Sequence, residues 1–192
     1  MNTMNFIKTD IDGVVIMEPK VIGDRRGYFC ETFRENQFIE NVCNTRFIQD
    51  NESSSTGGVL RGLHYQMHPY SQSKLVRVTE GEVFDVAVDI RKGSPTFGKY
   101  VGVVLSAENK RQFFIPRGFA HGFLVLSKHA TFVYKCDNYY NKASERGIRF
   151  DDPDLNIQWP KVNFELNLSD KDLAAANLQN ADLFNFTDKL YE

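Results

Sequence analysis

An all-β sandwich or barrel is predicted for this chain. Short strand-like runs follow one another to about residue 160 at near-even spacing, with turn residues between them and little helical pattern. The load of 16 Phe and 8 Tyr points the same way, because aromatic side chains pack well on a pleated, half-buried surface. The segment 83–90 alternates with period two: Phe84, Val86, Val88 and Ile90 fall on one face, and Val83, Asp85, Ala87 and Asp89 on the other.

The predicted strands are 13–17, 28–33, 46–50, 58–66 and 73–79, followed by 82–90, 100–105, 112–115, 122–126 and 131–137. Glu80-Gly81-Glu82 stands between two of them and reads as a tight hairpin turn. A short helix is expected over 34–41, and a second over 170–177, where Ser169 can cap the N-terminus with Asp172 at the capping-box position. No repeat or linker interrupts the pattern. One domain over 1–192 is expected, with the tail from about 173 to 192 peripheral.

At 192 residues the chain is long enough to bury a core of its own. A net charge of −2 gives no overall attraction to nucleic acid or to an anionic membrane, so an anionic ligand needs a local group of Arg and Lys. The 3 cysteines, Cys30, Cys43 and Cys136, are odd in number and form no CxxC pair, which argues against a disulfide framework or a structural zinc site. No apolar run reaches the ~20 residues of a membrane span. The opening Met1-Asn2-Thr3-Met4-Asn5-Phe6 lacks the basic-then-apolar layout of a signal peptide, and the cytoplasm is the expected location.

Pro116-Arg117-Gly118-Phe119-Ala120-His121 resembles the PxGxxH pattern of cupin barrels, in which a tight turn launches a histidine into the barrel. Metal-binding cupins add an upstream HxH pair. Here that segment is His64-Tyr65-Gln66, and Gln is a poor ligand for the divalent metals that favour imidazole. His64 and His121 alone fall short of the three protein ligands of a typical catalytic centre, so no metal is expected. His64 by itself would be read as a structural histidine, and Asp172 as the first-turn acid of a helix. Together they offer more: a neutral imidazole can take a proton near neutral pH while a carboxylate on its other nitrogen fixes the tautomer. Arg26, Arg61 and Lys74 lie in or beside predicted strands, where inward-facing cations would form the local anion site. Strict alternation puts Arg61 and His64 on opposite faces, and a bulge at Gly62 is needed to bring them onto one.

These segments together resemble the dTDP-4-dehydrorhamnose 3,5-epimerase family, nearly end to end. The likeness is carried by Asp24-Arg25-Arg26-Gly27-Tyr28-Phe29, Gln49-Asp50-Asn51, Arg61-Gly62-Leu63-His64, Ser73-Lys74-Leu75-Val76, the strand from Val83 to Arg91, and Gly93-Ser94-Pro95-Thr96-Phe97-Gly98. Pro116 to Phe123, Tyr134-Lys135-Cys136, Asp152-Pro153, Trp159-Pro160 and Leu168-Ser169-Asp170-Lys171-Asp172 complete it. The resemblance implies a homodimeric, cupin-type (double-stranded β-helix, jelly-roll) barrel with a few short peripheral helices, using neither metal nor organic cofactor. It implies a thymidine-diphosphate 4-keto sugar as substrate, with His64 as base, Asp172 orienting it, Lys74 stabilising the enolate and Tyr134 delivering a proton to the opposite face. Arg26, Glu31, Gln49, Asn51, Arg61 and His121 match positions that hold the nucleotide, phosphates or sugar; Phe29 would pack near the base and Tyr140 would line the sugar pocket. Where the family often has Ala-Pro after the aspartate, this chain has Ala174-Ala175-Ala176-Asn177, which leaves the path of the tail open. The alternatives are an epimerase of one carbon only or of another nucleotide-linked keto sugar, a metal-dependent cupin oxygenase, and a non-catalytic sugar-binding barrel.

Overall fold

A computed structural model describes residues 4–192; residues 1–3 of the N-terminal stretch discussed above lie outside the described residues. The strands in chain order are β1 (Met4–Lys8), β2 (Val15–Pro19), β3 (Val21–Asp24), β4 (Gly27–Cys30), β5 (Gln49–Thr56), β6 (Leu60–Gln66), β7 (Lys74–Glu80) and β8 (Glu82–Asp89). They continue with β9 (Arg91–Lys92), β10 (Tyr100–Ser106), β11 (Gln112–Ile115), β12 (Phe119–Val125), β13 (His129–Cys136), β14 (Glu145–Gly147) and β15 (Phe184–Asn185). The helices are α1 (Glu35–Asn41), α2 (Asp170–Leu173) and a 3-10 turn at Leu178–Asn180. No helix among the described residues is long and apolar enough to cross a membrane.

Two antiparallel sheets face each other: six strands in the order β1-β2-β11-β7-β13-β5, and five in the order β10-β8-β12-β6-β14. The alternation of β8 explains the layering. Val83 and Ala87 point between the sheets and meet Val76, Val78, Phe113, Ile115, Phe123 and Phe132. Val86, Val88 and Ile90 point outward and are covered by Ile148, Leu155, Leu178, Phe184 and Leu190. On the far side of the six-stranded sheet, Val15, Met17, Leu75 and Phe114 are covered by Phe38 of α1. Phe38 is wholly buried, which contributes roughly 2–3 kcal/mol for a side chain of that size.

Glu80-Gly81-Glu82 is not a hairpin turn, contrary to the sequence expectation. β7 pairs with β11 and β13, and β8 with β10 and β12, so Gly81, at φ +76°, is a corner where the chain leaves one sheet for the other. Nor does the second helix reach 177: it stops at Leu173, because Ala176 leaves to bridge Ile148 in parallel. Beyond it Leu178 N–H donates to Asp152, and β15 pairs in parallel with β9. Residues 178–190 thus close over the five-stranded sheet. The β3–β4 ribbon stands apart from both sheets, with Val21, Ile22, Tyr28 and Phe29 all exposed.

Candidate active site

β6 carries His64 on the five-stranded sheet, and β7 and β13 carry Lys74 and Tyr134 on the six-stranded one. All three side chains line one cavity of about 360 Å³, shared with Gln49, Asn51, Cys136, Tyr140 and Glu145. The imidazole therefore enters from one sheet, and the phenol and ammonium from the other. A larger groove, of about 900 Å³, runs past Phe97, Tyr100 and Leu178 and contains none of the predicted site residues.

Behind the imidazole, His64 Nε2 lies 2.5 Å from Asp172 Oδ1. Ser169 caps α2 by accepting the Asp172 N–H at 3.2 Å, and its hydroxyl donates to Asp172 Oδ2 at 2.7 Å. Both carboxylate oxygens are therefore engaged. Burial alone would raise the Asp172 pKa, but the hydrogen bonds from His64, Ser169 and the Gly62 N–H outweigh it and hold the carboxyl below its ordinary value. The buried carboxylate stays charged and holds Nε2 of a ring that lines the cavity.

The parity conflict at Arg61 is resolved by a slip in register. His121 pairs with His64 and Phe123 with Arg61, so β6 spends one more residue than β12 over the same span. Leu63 and Tyr65 pack in the outer cluster, whereas Arg61 reaches Ser55 on β5 with two bonds of 3.2 Å. Ser55 shares its strand face with Gln49 and Asn51 of the cavity. Gly62 sits at φ +120°, and a Cβ there would lie 2.6 Å from Gly122 Cα and 2.7 Å from His121 O. Gly62→Ala is expected to destabilise the fold by about 3 kcal/mol, seen as a fall in melting temperature of roughly 6–12 °C; an unchanged melting curve would contradict this packing.

On the opposite wall, the Lys74 ammonium makes no hydrogen bond among the described residues, and burial lowers its pKa. Burial raises that of Tyr134, so the phenol keeps its proton. Burial also pushes the Cys136 thiol up to about 11, leaving it neutral. Gln49 donates to Asn51 and accepts the Tyr140 N–H.

His121 is buried beside His64 rather than in the cavity, and its Nε2 lies 2.9 and 3.1 Å from the Asp85 carboxylate. Burial lowers its pKa, only partly offset by Asp85. Gln66, at the second histidine position of the metal pattern, donates to the carbonyls of Tyr70 and Tyr139 and accepts the Asn141 N–H. Its amide fastens two loops.

Arg26, Phe29 and Glu31 are not brought to this cavity. Arg26 is paired with Asp24 on the exposed ribbon, with 82% of its side chain accessible, Phe29 is exposed beside it, and Glu31 pairs with Arg34. Sequence reading missed Glu145, which lines the cavity, accepts the Tyr140 hydroxyl at 3.1 Å and pairs with Lys171. Burial would raise its pKa, but Lys171 and Tyr140 hold it below the ordinary value. It sits on a strand of only 3 residues, too short to show a pattern.

The two-sheet, cupin-type barrel belongs to an isomerase of the carbohydrate-epimerase class. The chain belongs to the dTDP-4-dehydrorhamnose 3,5-epimerase family, whose sequence profile matches residues 8–180. It is 61% identical over 182 residues to the dTDP-4-dehydrorhamnose 3,5-epimerase of Shigella flexneri, covering 94% of this chain and 99% of that one. The enzyme of the same name from Methanothermobacter thermautotrophicus is 55% identical over 173 residues, 90% of this chain and 93% of its own. A crystal structure of the Legionella pneumophila dTDP-6-deoxy-D-glucose-3,5-epimerase in complex with dTDP-4-keto-L-rhamnose superposes with a TM-score of 0.92 at 54% identity, covering 96% of this chain and 100% of that one.

Proposed function

We propose that residues 1–192 act as one catalytic domain that inverts C3 and C5 of dTDP-4-keto-6-deoxy-D-glucose to give dTDP-4-keto-L-rhamnose, in the cytoplasm. The observation that carries this reading is the placement of His64 and Tyr134 on opposed walls of one cavity, with Asp172 behind the imidazole. The 4-keto group acidifies the protons on both neighbouring carbons. His64 takes one of them, the C–H electron pair moves into an enolate, and the Lys74 ammonium donates to the oxygen at C4. Tyr134 then returns a proton to the same carbon from the other face, and exchange with water resets phenolate and imidazolium. A second pass inverts the second carbon.

Gln49, Asn51, Arg61, Tyr140 and Glu145 would hold the sugar and its diphosphate, with His121 supporting the wall around His64. Arg26 and Phe29 lie on an apolar ribbon exposed in one chain, and Glu31 follows directly after it, paired with Arg34. In a homodimer this ribbon would be covered by the second copy, and those residues would serve the nucleotide site across the interface.

Turnover of the keto sugar in deuterated water tests the chemistry. One deuterium at C3 and one at C5 is the expected product. Label at a single carbon would point instead to a one-carbon epimerase, and label at neither would remove the reading.

A further inference from the structure

We propose that Tyr191 is a positioning residue for Lys74, acting through Ser73. The inference rests on the epimerase reading and adds to it a device outside the cavity. With no hydrogen bond of its own among the described residues, the Lys74 ammonium takes its position from the packing around it and from the backbone at the start of β7. Lys74 itself is held in register by Ile115 on one side and Cys136 on the other, so the free variable is the residue before it.

Ser73 is wholly buried and fastened at three points. Its N–H donates to Asp137 Oδ1 at 2.6 Å, its carbonyl accepts the Asp137 N–H at 3.3 Å, and its hydroxyl lies 2.7 Å from the Tyr191 hydroxyl. Asp137 is held in turn by Thr45 Oγ1 at 2.9 Å and Arg117 Nε at 3.1 Å. Arg117 also reaches the tail: its N–H donates to the Tyr191 oxygen at 3.2 Å, Nη1 donates to Leu190 O at 2.6 Å, and the guanidinium lies 5.1 Å from the Tyr191 ring centroid. The Tyr191 oxygen thus receives the Arg117 N–H and shares a hydrogen bond with the Ser73 hydroxyl. Burial raises the pKa of this phenol, so it stays neutral and the bond persists across the working range. The tail is therefore tied, through one hydroxyl, to the residue that sets where the ammonium sits.

A donor to the enolate oxygen is used in the transition state, so misplacing it lowers kcat and leaves KM unchanged. Tyr191→Phe keeps the ring and removes the bond. The expected result is a fall in kcat on the order of tenfold, the scale of a sub-ångström displacement of a catalytic group, with KM unchanged. In a Lys74→Ala background the same substitution should have no further effect on the residual rate of solvent deuterium incorporation. If Tyr191→Phe does not fold, Ser73→Ala removes the same bond from the other side and carries the same two expectations. A rise in KM at constant kcat, an unchanged kcat, or a full additional loss in the Lys74→Ala background would each overturn the proposal. An unsubstituted protein without turnover would instead defeat the epimerase reading itself.

Discussion

Replacing His64 by alanine is expected to lower kcat by about 10²–10⁴, the range for loss of a placed general base, or roughly 3–5 kcal/mol of barrier. KM should change little, since in the proposed mechanism the imidazole acts on a carbon-bound proton and not on the parts of the substrate that give affinity. The loss should extend to both carbons, because one imidazole serves both in the proposed mechanism. Deuterium incorporation at C3 and C5, followed separately, is the measurement. Survival of exchange at either carbon would assign a second base to that position. The fold should persist: His64 is half-buried and its polar partner, Asp172, lies on α2, while the barrel core is made elsewhere.

Lys74→Ala should cost about 10²–10³ in kcat, as removal of one oxyanion donor does, and here the pH dependence adds a second reading. The ammonium donates only while protonated, and burial sets its pKa below the ordinary lysine value. Activity should therefore fall on the alkaline side at a lower pH than an exposed lysine would impose. Tyr134 is shifted upward by its own burial, so the phenol remains a donor through that window and the alkaline limb belongs to Lys74. In Lys74→Arg the limb should move out of range, because a guanidinium stays charged. A limb unmoved by that substitution would assign it to another group.

Much of the barrel was legible because its rules are local. The alternation of Val83 through Ile90 marks which residues lie between the sheets, and Ser169 with Asp172 marks the cap that places the carboxylate. The conflict of parity between Arg61 and His64 located the slip at Gly62 before any coordinates. What local pattern does not encode is pairing at a distance. Gly81 makes a sharp turn whether the next strand returns beside the last or crosses to another sheet, and only the partners of β7 and β8 distinguish the two. Glu145 was missed for a related reason: its strand is too short for periodicity, and its value comes from Tyr140 and Lys171, one of them far away in sequence. Arg26, Phe29 and Glu31 lie on or just after the β3–β4 ribbon, away from this chain's own cavity, and a match of motifs carries no information on which copy's cavity they serve.

The opposed walls also define the shape of a good inhibitor. A sugar mimic flattened across the three carbons centred on C4, with an anionic oxygen at the middle one, would present an edge to each wall and a counter-charge to the amine. Puckered analogues of either epimer would satisfy one side and leave the other unfilled, so planarity rather than stereochemistry should govern potency.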